Sequence, residues 1–232
     1  MTAPRLEVDL QKLQHNARTL VGLLAGRGIA VTGVTKATLG SPEIANTLLT
    51  AGVRALGDSR IENLASMRRA GVQAPMTLIR SPMVSQARLV VAHADVSVNT
   101  ELDVISKLSC AAGEARCEHG VVLMVELGDL REGIMPGEIE STVRQVLQFP
   151  NITHRGIGTN LACRSGVSPD AGKMSELSTL ATSIEVRFGV SVATVSGGNS
   201  ANLAWALGDA DTGRINDLRL GESILLGRET LH

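Results

Sequence analysis

The sequence predicts an α/β fold, a closed (β/α)8 TIM barrel with one extra helix at its start. Three observations carry that prediction. Eight short apolar or β-branched runs alternate with segments of helical period. No linker, repeat or composition break interrupts the alternation, and 232 residues at 44% hydrophobic suffice for one barrel-sized core. Residues 1–232 are therefore read as one domain. An open doubly wound sheet is the architectural alternative; eight strands without a second lobe favour closure.

The elements follow in order. "DLQKLQHNARTLVGLLAGRG" opens with an Asp cap, carries Leu13, Leu20, Leu23 and Leu24 mostly on one helical face, and ends at glycine. Strand one is "IAVTGVT", followed by a helix from Ser41 with Pro42 at its first position. Then come strand "VRALG", helix "RIENLASMRRAG", strand "MTLIR", helix "VSQARLVVAHA", strand "DVSVN" and helix "TELDVISKLSCAAG". "GVVLMVEL" is a near-continuous apolar run, as expected of a parallel strand buried on both faces. The second half reads helix "PGEIESTVRQVLQF", strand "ITHRGIG", helix "SPDAGKMSELSTLATSIEVRFG", strand "VATVS", helix "SANLAWALG" and strand "NDLRLG". The leading helix fills the place of one that would follow the last strand.

Composition narrows the function classes. The 22 basic and 23 acidic residues nearly cancel, and aromatics make up 1% of the chain, so the charge and stacking platform of a nucleic-acid binder are both missing. No apolar run reaches membrane-spanning length, and "MTAPRLEVDLQKL" lacks the zones of a signal peptide. A cytoplasmic protein with a small-molecule partner is expected. Cys110, Cys117 and Cys163 lack metal-ligand spacing and read as free thiols of a reducing compartment; the 5 histidines form no metal motif.

Active sites of such barrels sit at the carboxyl ends of the strands. In this sequence those ends carry Lys36, then Asp58 and Ser59, Arg80, Asn99, Asp129 and Arg131, Thr159 and Asn160, "SGGNS", and Arg219 with Gly221 and Glu222. "SGGNS" places Asn199 and Ser200 at a strand-to-helix turn, and "RLGES" forms a second small-residue turn after strand eight. Those two loops are the usual phosphate position in barrels, although glycine pairs at such junctions are also ordinary turns. A lysine beside a phosphate grip suits Schiff-base chemistry with a phosphorylated carbonyl, and pyridoxal 5'-phosphate needs a lysine, a phosphate cradle and a group facing its ring nitrogen. Arg219 is the candidate for the last role.

"VTKATLG", "GDLREGIMPGE", "RGIGTNLACRSG", "SGGNSANL" and "LRLGESILLG" together resemble the alanine racemase-like barrel family of pyridoxal-phosphate enzymes, most closely the branch of ornithine racemase and related amino-acid racemases. The resemblance covers essentially the whole chain. It implies that Lys36 carries the cofactor as an internal aldimine and serves as one proton-transfer base. It implies also that Arg131 lies near the cofactor's phenolic oxygen, and that Asn160 stands where alanine racemase has a ring-stacking histidine. Asn199 and Ser200 then fall on the phosphate turn, Arg219 faces the ring nitrogen, and Gly221 with Glu222 contacts phosphate through the backbone. A homodimer and an amino-acid substrate are implied as well.

The sequence departs from the pattern at Gly40, where alanine racemases carry a tyrosine four residues after the lysine, and at Asn160. Two-domain racemases continue into a β-rich domain that supplies a tyrosine from a partner subunit; this sequence stops at His232 and contains 0 tyrosines. The expectation is that these residues bind the cofactor yet racemise poorly. Three functions are weighed: an amino-acid racemase, a noncatalytic carrier of pyridoxal-phosphate homeostasis, and a Schiff-base aldolase for a phosphorylated sugar. The motifs rank the racemase first. Glu222, Asp58 and Glu62 are candidates for a basic substrate side chain but equally suit helix caps or solvated carboxylates, and Cys163 reads better as a buried thiol than as an acid–base group.

Overall fold

The computed structural model describes residue 4, residues 7–162 and residues 167–228. In chain order the elements are α1 (Leu10–Ala25), β1 (Ala30–Val34), α2 (Pro42–Thr50), β2 (Ala55–Asp58), α3 (Ile61–Arg69), β3 (Met76–Leu78), α4 (Ala87–His93), β4 (Val96–Asn99), α5 (Leu102–Ala115) and β5 (His119–Val125). There follow α6 (Ile139–Val146), β6 (Ile152–Thr159), α7 (Ala171–Phe188), β7 (Thr194–Ser196), α8 (Leu203–Leu207), β8 (Asp217–Leu220) and α9 (Glu222–Leu226). The strands pair in that sequence as one closed parallel barrel, sealed where β1 meets β8 with Thr32 opposite Arg219. The predicted TIM barrel is the fold.

Local chemistry starts and stops the helices as the sequence suggests. The Asp9 carboxylate accepts from the backbone N–H groups of Gln11 and Lys12 at 3.0 and 3.1 Å, and Ser41 Oγ accepts from Ile44 N at 3.3 Å with Pro42 in the first turn. Asp170 caps α7 through Lys173 N at 2.8 Å, and Gly189 ends it in the left-handed region. Other segments are shorter than their patterns imply. Three-residue 3-10 turns at Val84–Gln86, Pro136–Glu138 and Ser200–Asn202 precede α4, α6 and α8, because the chain must turn sharply off each strand before a helix can lie along the barrel. The end of the barrel is also corrected. A helix, α9, does follow β8, but it spans only 5 residues, and α1 packs beside it with Asn16 Nδ2 donating to the Ile224 carbonyl at 3.0 Å. On α1 the buried face is Leu13, Ala17 and Leu24; Leu23 is 52% exposed, since Ala17 supplies the helical repeat that Leu23 misses.

Two layers of apolar packing result. A continuous sleeve between strands and helices includes Leu56, Leu78, Leu123 and Leu218, each buried to within 2% and each worth roughly 1.5–3 kcal/mol. Inside the barrel Val98, Val122 and Met124 form a separate small cluster on the β4–β5 side. The β7–β8–β1 side of the interior is polar instead, with Ser196, Asp217, Arg219 and Thr32. Between β5 and β6 the ladder slips by one residue after Val121. Gly156 makes this possible: at φ +148° it lies so close to β7 that an added Cβ would sit 1.9 Å from the Thr194 carbonyl oxygen. The "RGIG" motif is thus a bulge in the barrel wall.

Two buried histidines give the barrel a pH dependence. His119 accepts or donates at Ser97 Oγ over 2.8 Å, and burial lowers its pKa to about 4; burial lowers His154 to about 4 as well. Both stay neutral when folded, whereas the unfolded chain takes up protons below about pH 6.5. Stability is therefore intact above pH 6.5 and falls progressively towards pH 4, by about 3 kcal/mol per histidine at most. Denaturant melts at pH 7 and pH 4.8 check this: His119→Asn should flatten part of the slope. Glu185, held down to about 2 by its hydrogen bonds to Arg214, adds its loss only below about pH 4.5, at the acid end of that window and below the pH 4.8 measurement.

Candidate active site

A cavity of about 660 Å3 opens at the carboxyl ends of the strands, a size ordinary for small-molecule sites. Lys36, Arg131, Asn160, Asn199, Ser200, Arg219, Gly221 and Glu222 all line it, so the structure brings the eight sequence-selected residues to one place. Ser59, Ile79, Arg80 and Glu132 are on the wall too and were not selected. The first three stand at ends of β2 and β3, where a strand-end reading reaches them without saying what they do. Glu132 is the residue that pattern alone leaves out.

Each lining side chain is positioned by its element. Lys36 leaves β1 in a 3-10 turn, Lys36–Thr38, and its predecessor Thr35 is fully buried with Oγ1 donating to Asp58 Oδ2 at 2.7 Å. Asp58 Oδ1 accepts from Arg60 N at 2.9 Å and from Asn63 Nδ2 at 3.0 Å. The Asp58 carboxylate thus ties the end of β1 to the start of α3 and is a structural cap. It does not reach the cavity, and neither does Glu62, which is exposed and accepts from Gln86 at 3.3 Å. Arg131 and Glu132 pair at 2.7 Å on a loop after β5; Glu126 Oε1 shapes that loop by accepting from Gly128 N and Leu130 N.

Arg219 is the most constrained group on the wall. Only 7% exposed, it donates to Ser196 Oγ, to the Thr159 carbonyl at 2.6 Å and to Asn160 Oδ1 at 2.8 Å. Asn160 in turn donates to Glu132 Oε1 at 3.5 Å, which links the guanidinium to the Arg131–Glu132 pair. Across the two small-residue turns, Ser200 Oγ accepts from Ser223 N at 3.1 Å and meets Ser223 Oγ at 3.0 Å. Asn199 donates to the Leu161 carbonyl at 2.9 Å and accepts from Ala201 N at 2.9 Å. These side chains hold the two turns together and leave backbone and small surfaces towards the cavity. Asn99, at the end of β4, is off the wall: its neighbour Val98 faces the barrel interior, so Asn99 points to the opposite face of the strand and donates back to Ser97.

The model of the alanine racemase N-terminal domain matches residues 8–228. The chain belongs to this family. It is 38% identical over 230 residues to the lysine racemase of Thermotoga maritima, covering 99% of this chain and 64% of that protein. It is 35% identical over 231 residues to the ornithine racemase of Acetoanaerobium sticklandii, covering 99% of this chain and 65% of that protein. Among solved structures, PipY of Synechococcus elongatus PCC7942 with PLP bound superposes with a TM-score of 0.73 at 18% identity, covering 90% of this chain and 99% of that one. The chain therefore spans about two thirds of the length of the two racemases.

Membership in the alanine racemase N-terminal domain family makes Gly40 informative. Its backbone lies at φ +66°, and an added Cβ would approach Asn63 Cβ to 2.8 Å, so α3 occupies the space in which a larger side chain would start. The tyrosine that alanine racemases carry there is sterically excluded from this barrel. Cys163 lies outside the described residues, and Cys110 and Cys117 are exposed free thiols far in sequence from the lining residues. Among the described residues no group of acids, histidines and cysteines could hold a metal ion, and no helix is long and apolar enough to cross a membrane.

Proposed function

We propose that this barrel is the cofactor-binding part of a pyridoxal-phosphate-dependent amino-acid racemase, with Lys36 as the cofactor-bearing and proton-transferring residue. One observation carries the reading: Lys36, the buried guanidinium of Arg219 and the two small-residue turns converge on a single cavity. That donor set fits the cofactor: an amine for its aldehyde, a permanent cation for its ring nitrogen, and close-packed turns for its phosphate. When bound, pyridoxal phosphate withdraws electrons from the substrate α-carbon and makes its hydrogen removable.

The chain's own residues do the rest. Lys36 Nζ takes the α-hydrogen on one face of the substrate and can return it there. The Arg219 guanidinium would donate to the ring nitrogen of a bound cofactor and oppose full protonation of the ring, which would favour exchange of one hydrogen over slower carbanion chemistry. Asn160 and the Arg131–Glu132 pair fix the guanidinium's outer edge. The turns carrying Asn199, Ser200, Gly221 and Glu222 seat the phosphate.

The substrate class we infer is an amino acid with a basic side chain. The names of the two racemase relatives support this, and so does the Glu222 carboxylate on the cavity wall; Glu132 is taken up by Arg131 and Asn160. A homodimer belongs to the same reading: Leu39, Leu130 and Met135, beside lining residues in sequence, are 70%, 74% and 55% exposed and would be covered by a second subunit. The exposed free thiols accord with a cytoplasmic setting. The relatives at 35–38% identity favour a racemase over a cofactor carrier or a sugar aldolase.

A screen for loss of optical activity tests the reading, run with pyridoxal phosphate on both enantiomers of lysine, ornithine and alanine. Cofactor uptake, exchange of the α-hydrogen of a basic amino acid with solvent deuterium on the Lys36 face, and only slow loss of optical activity are expected. Cofactor uptake with neither exchange nor loss for any amino acid would indicate a carrier, and failure to take up the cofactor an aldolase. The phosphate seat has its own test. Ser200→Glu puts a carboxylate into the wall and breaks the link to Ser223, so the Kd for pyridoxal phosphate should rise at least ~10-fold, or about 1.4 kcal/mol, while that for unphosphorylated pyridoxal changes less. Equal effects on both would place the phosphate elsewhere.

A further inference from the structure

Beneath the candidate site lies a second cavity of about 360 Å3, on the amino-terminal side of the barrel. Arg219 lines both cavities and is the partition between them. Space below a long flexible cation lets it relax downwards, away from the upper site. Nη2 is held by the Thr159 carbonyl and Asn160 Oδ1, and Nη1, the other arm of the fork, rests on Ser196. Ser196 Oγ donates to Asp217 Oδ2 at 2.5 Å and accepts from Arg219 Nη1, and Thr32 Oγ1 donates to the other Asp217 oxygen at 2.7 Å. A carboxylate only accepts, so the single hydroxyl hydrogen of Ser196 is committed to Asp217, and its lone pairs are turned to Arg219.

We propose that Ser196, oriented by Asp217 and Thr32, is a positioning residue that keeps the Arg219 guanidinium raised into the upper cavity and off the Asp217 carboxylate. The inference rests on the pyridoxal-phosphate reading above. Ser196 stands between the buried Arg219 guanidinium and the half-buried Asp217 carboxylate, two groups of opposite charge that attract more strongly there than in open water. Remove its hydroxyl and the guanidinium has a better partner below: it drops towards Asp217 and is withdrawn from the ring nitrogen. The strand pair β7–β8 gives the same residues a purely structural role, since Ser196 and Asp217 are the paired positions of that seam. The two roles predict opposite results in the double variant.

The experiment measures the Kd for pyridoxal phosphate and the absorbance maximum of the bound cofactor, with no amino acid present, in the unaltered chain, Ser196→Ala, Asp217→Asn, Ser196→Thr and the Ser196→Ala/Asp217→Asn double variant. Circular dichroism checks folding. Ser196→Ala should bind at least ~10-fold more weakly with a shifted maximum, and Ser196→Thr, which keeps the hydroxyl, should match the unaltered chain. Asp217→Asn in the Ser196→Ala background removes the pull from below, so the double variant should recover much of the lost affinity and the original maximum. A double variant that binds no more tightly than Ser196→Ala, or a Ser196→Ala that binds normally, overturns the proposal. If the double variant does not fold, the contrast between Ser196→Ala and Ser196→Thr decides: equal affinities reject it. Failure of the unaltered chain to bind pyridoxal phosphate rejects the functional reading itself, and this inference with it.

Discussion

Lys36→Ala is expected to abolish exchange of the substrate α-hydrogen with solvent deuterium on the Lys36 face, by at least 100- to 10,000-fold, the range typical for loss of a positioned acid–base group. The effect is large because, among the described residues, Lys36 is the one lysine that lines the cavity. Folding should survive. Lys36 is exposed at the start of a 3-10 turn, while the buried anchor of that turn is the preceding residue, Thr35, held by Asp58. A melting temperature within a few degrees of the unaltered chain would locate the loss in chemistry rather than in stability. Exchange that persists in Lys36→Ala would assign the proton transfer to another group.

The second large effect belongs to Arg219→Leu. The side chain is 7% exposed and supplies donors to Ser196, the Thr159 carbonyl and Asn160. A leucine leaves the buried Thr159 carbonyl and Ser196 Oγ without that donor, at about 1–3 kcal/mol each, and leaves Asp217 nearby without the cation, while Asn160 can turn to the cavity. Stability should fall by several kcal/mol, in contrast to Lys36→Ala, and cofactor affinity should fall by at least ~100-fold. Arg219→Lys keeps the charge but not the planar fork, so it should recover stability in part and cofactor binding less. Chemical denaturation and a cofactor titration on the same samples separate the two quantities. A stable Arg219→Leu chain with normal cofactor affinity would show that the guanidinium has no part in the site.

Much of this was legible in the sequence because barrel geometry turns chain order into position. Once "IAVTGVT" and "NDLRLG" are strands of one closed sheet, Lys36 and Arg219 must arrive at the same rim, and the cavity joins them. What was not legible depends on direction rather than position. In β4 the sequence does alternate, Val96 and Val98 against Ser97 and Asn99, but alternation does not say which set faces the barrel interior, and a polar strand end does not announce whether it meets the cavity or the helices. Asp58 is of this kind: its place at a strand end suggests a site, and its three hydrogen bonds make it a cap. Side-chain commitments are equally invisible. The motif "SGGNS" marks the turn, yet only coordinates reveal that the Asn199 amide and the Ser200 hydroxyl tie that turn to Leu161 and Ser223. Glu132 carries no signal in the sequence because its role comes from Arg131 beside it and from Asn160, 28 residues further along the chain, which the barrel brings into hydrogen-bond contact. Exclusion at Gly40 is likewise a packing fact, set by α3 and not by the neighbouring sequence.

Borohydride reduction of the chain loaded with pyridoxal phosphate, followed by peptide mapping, shows whether Lys36 carries the cofactor. One phosphopyridoxyl group is expected, on the peptide containing "VTKATLG", at Lys36. A label on Lys107 or Lys173 instead, or no label on a chain that retains the cofactor, would contradict it.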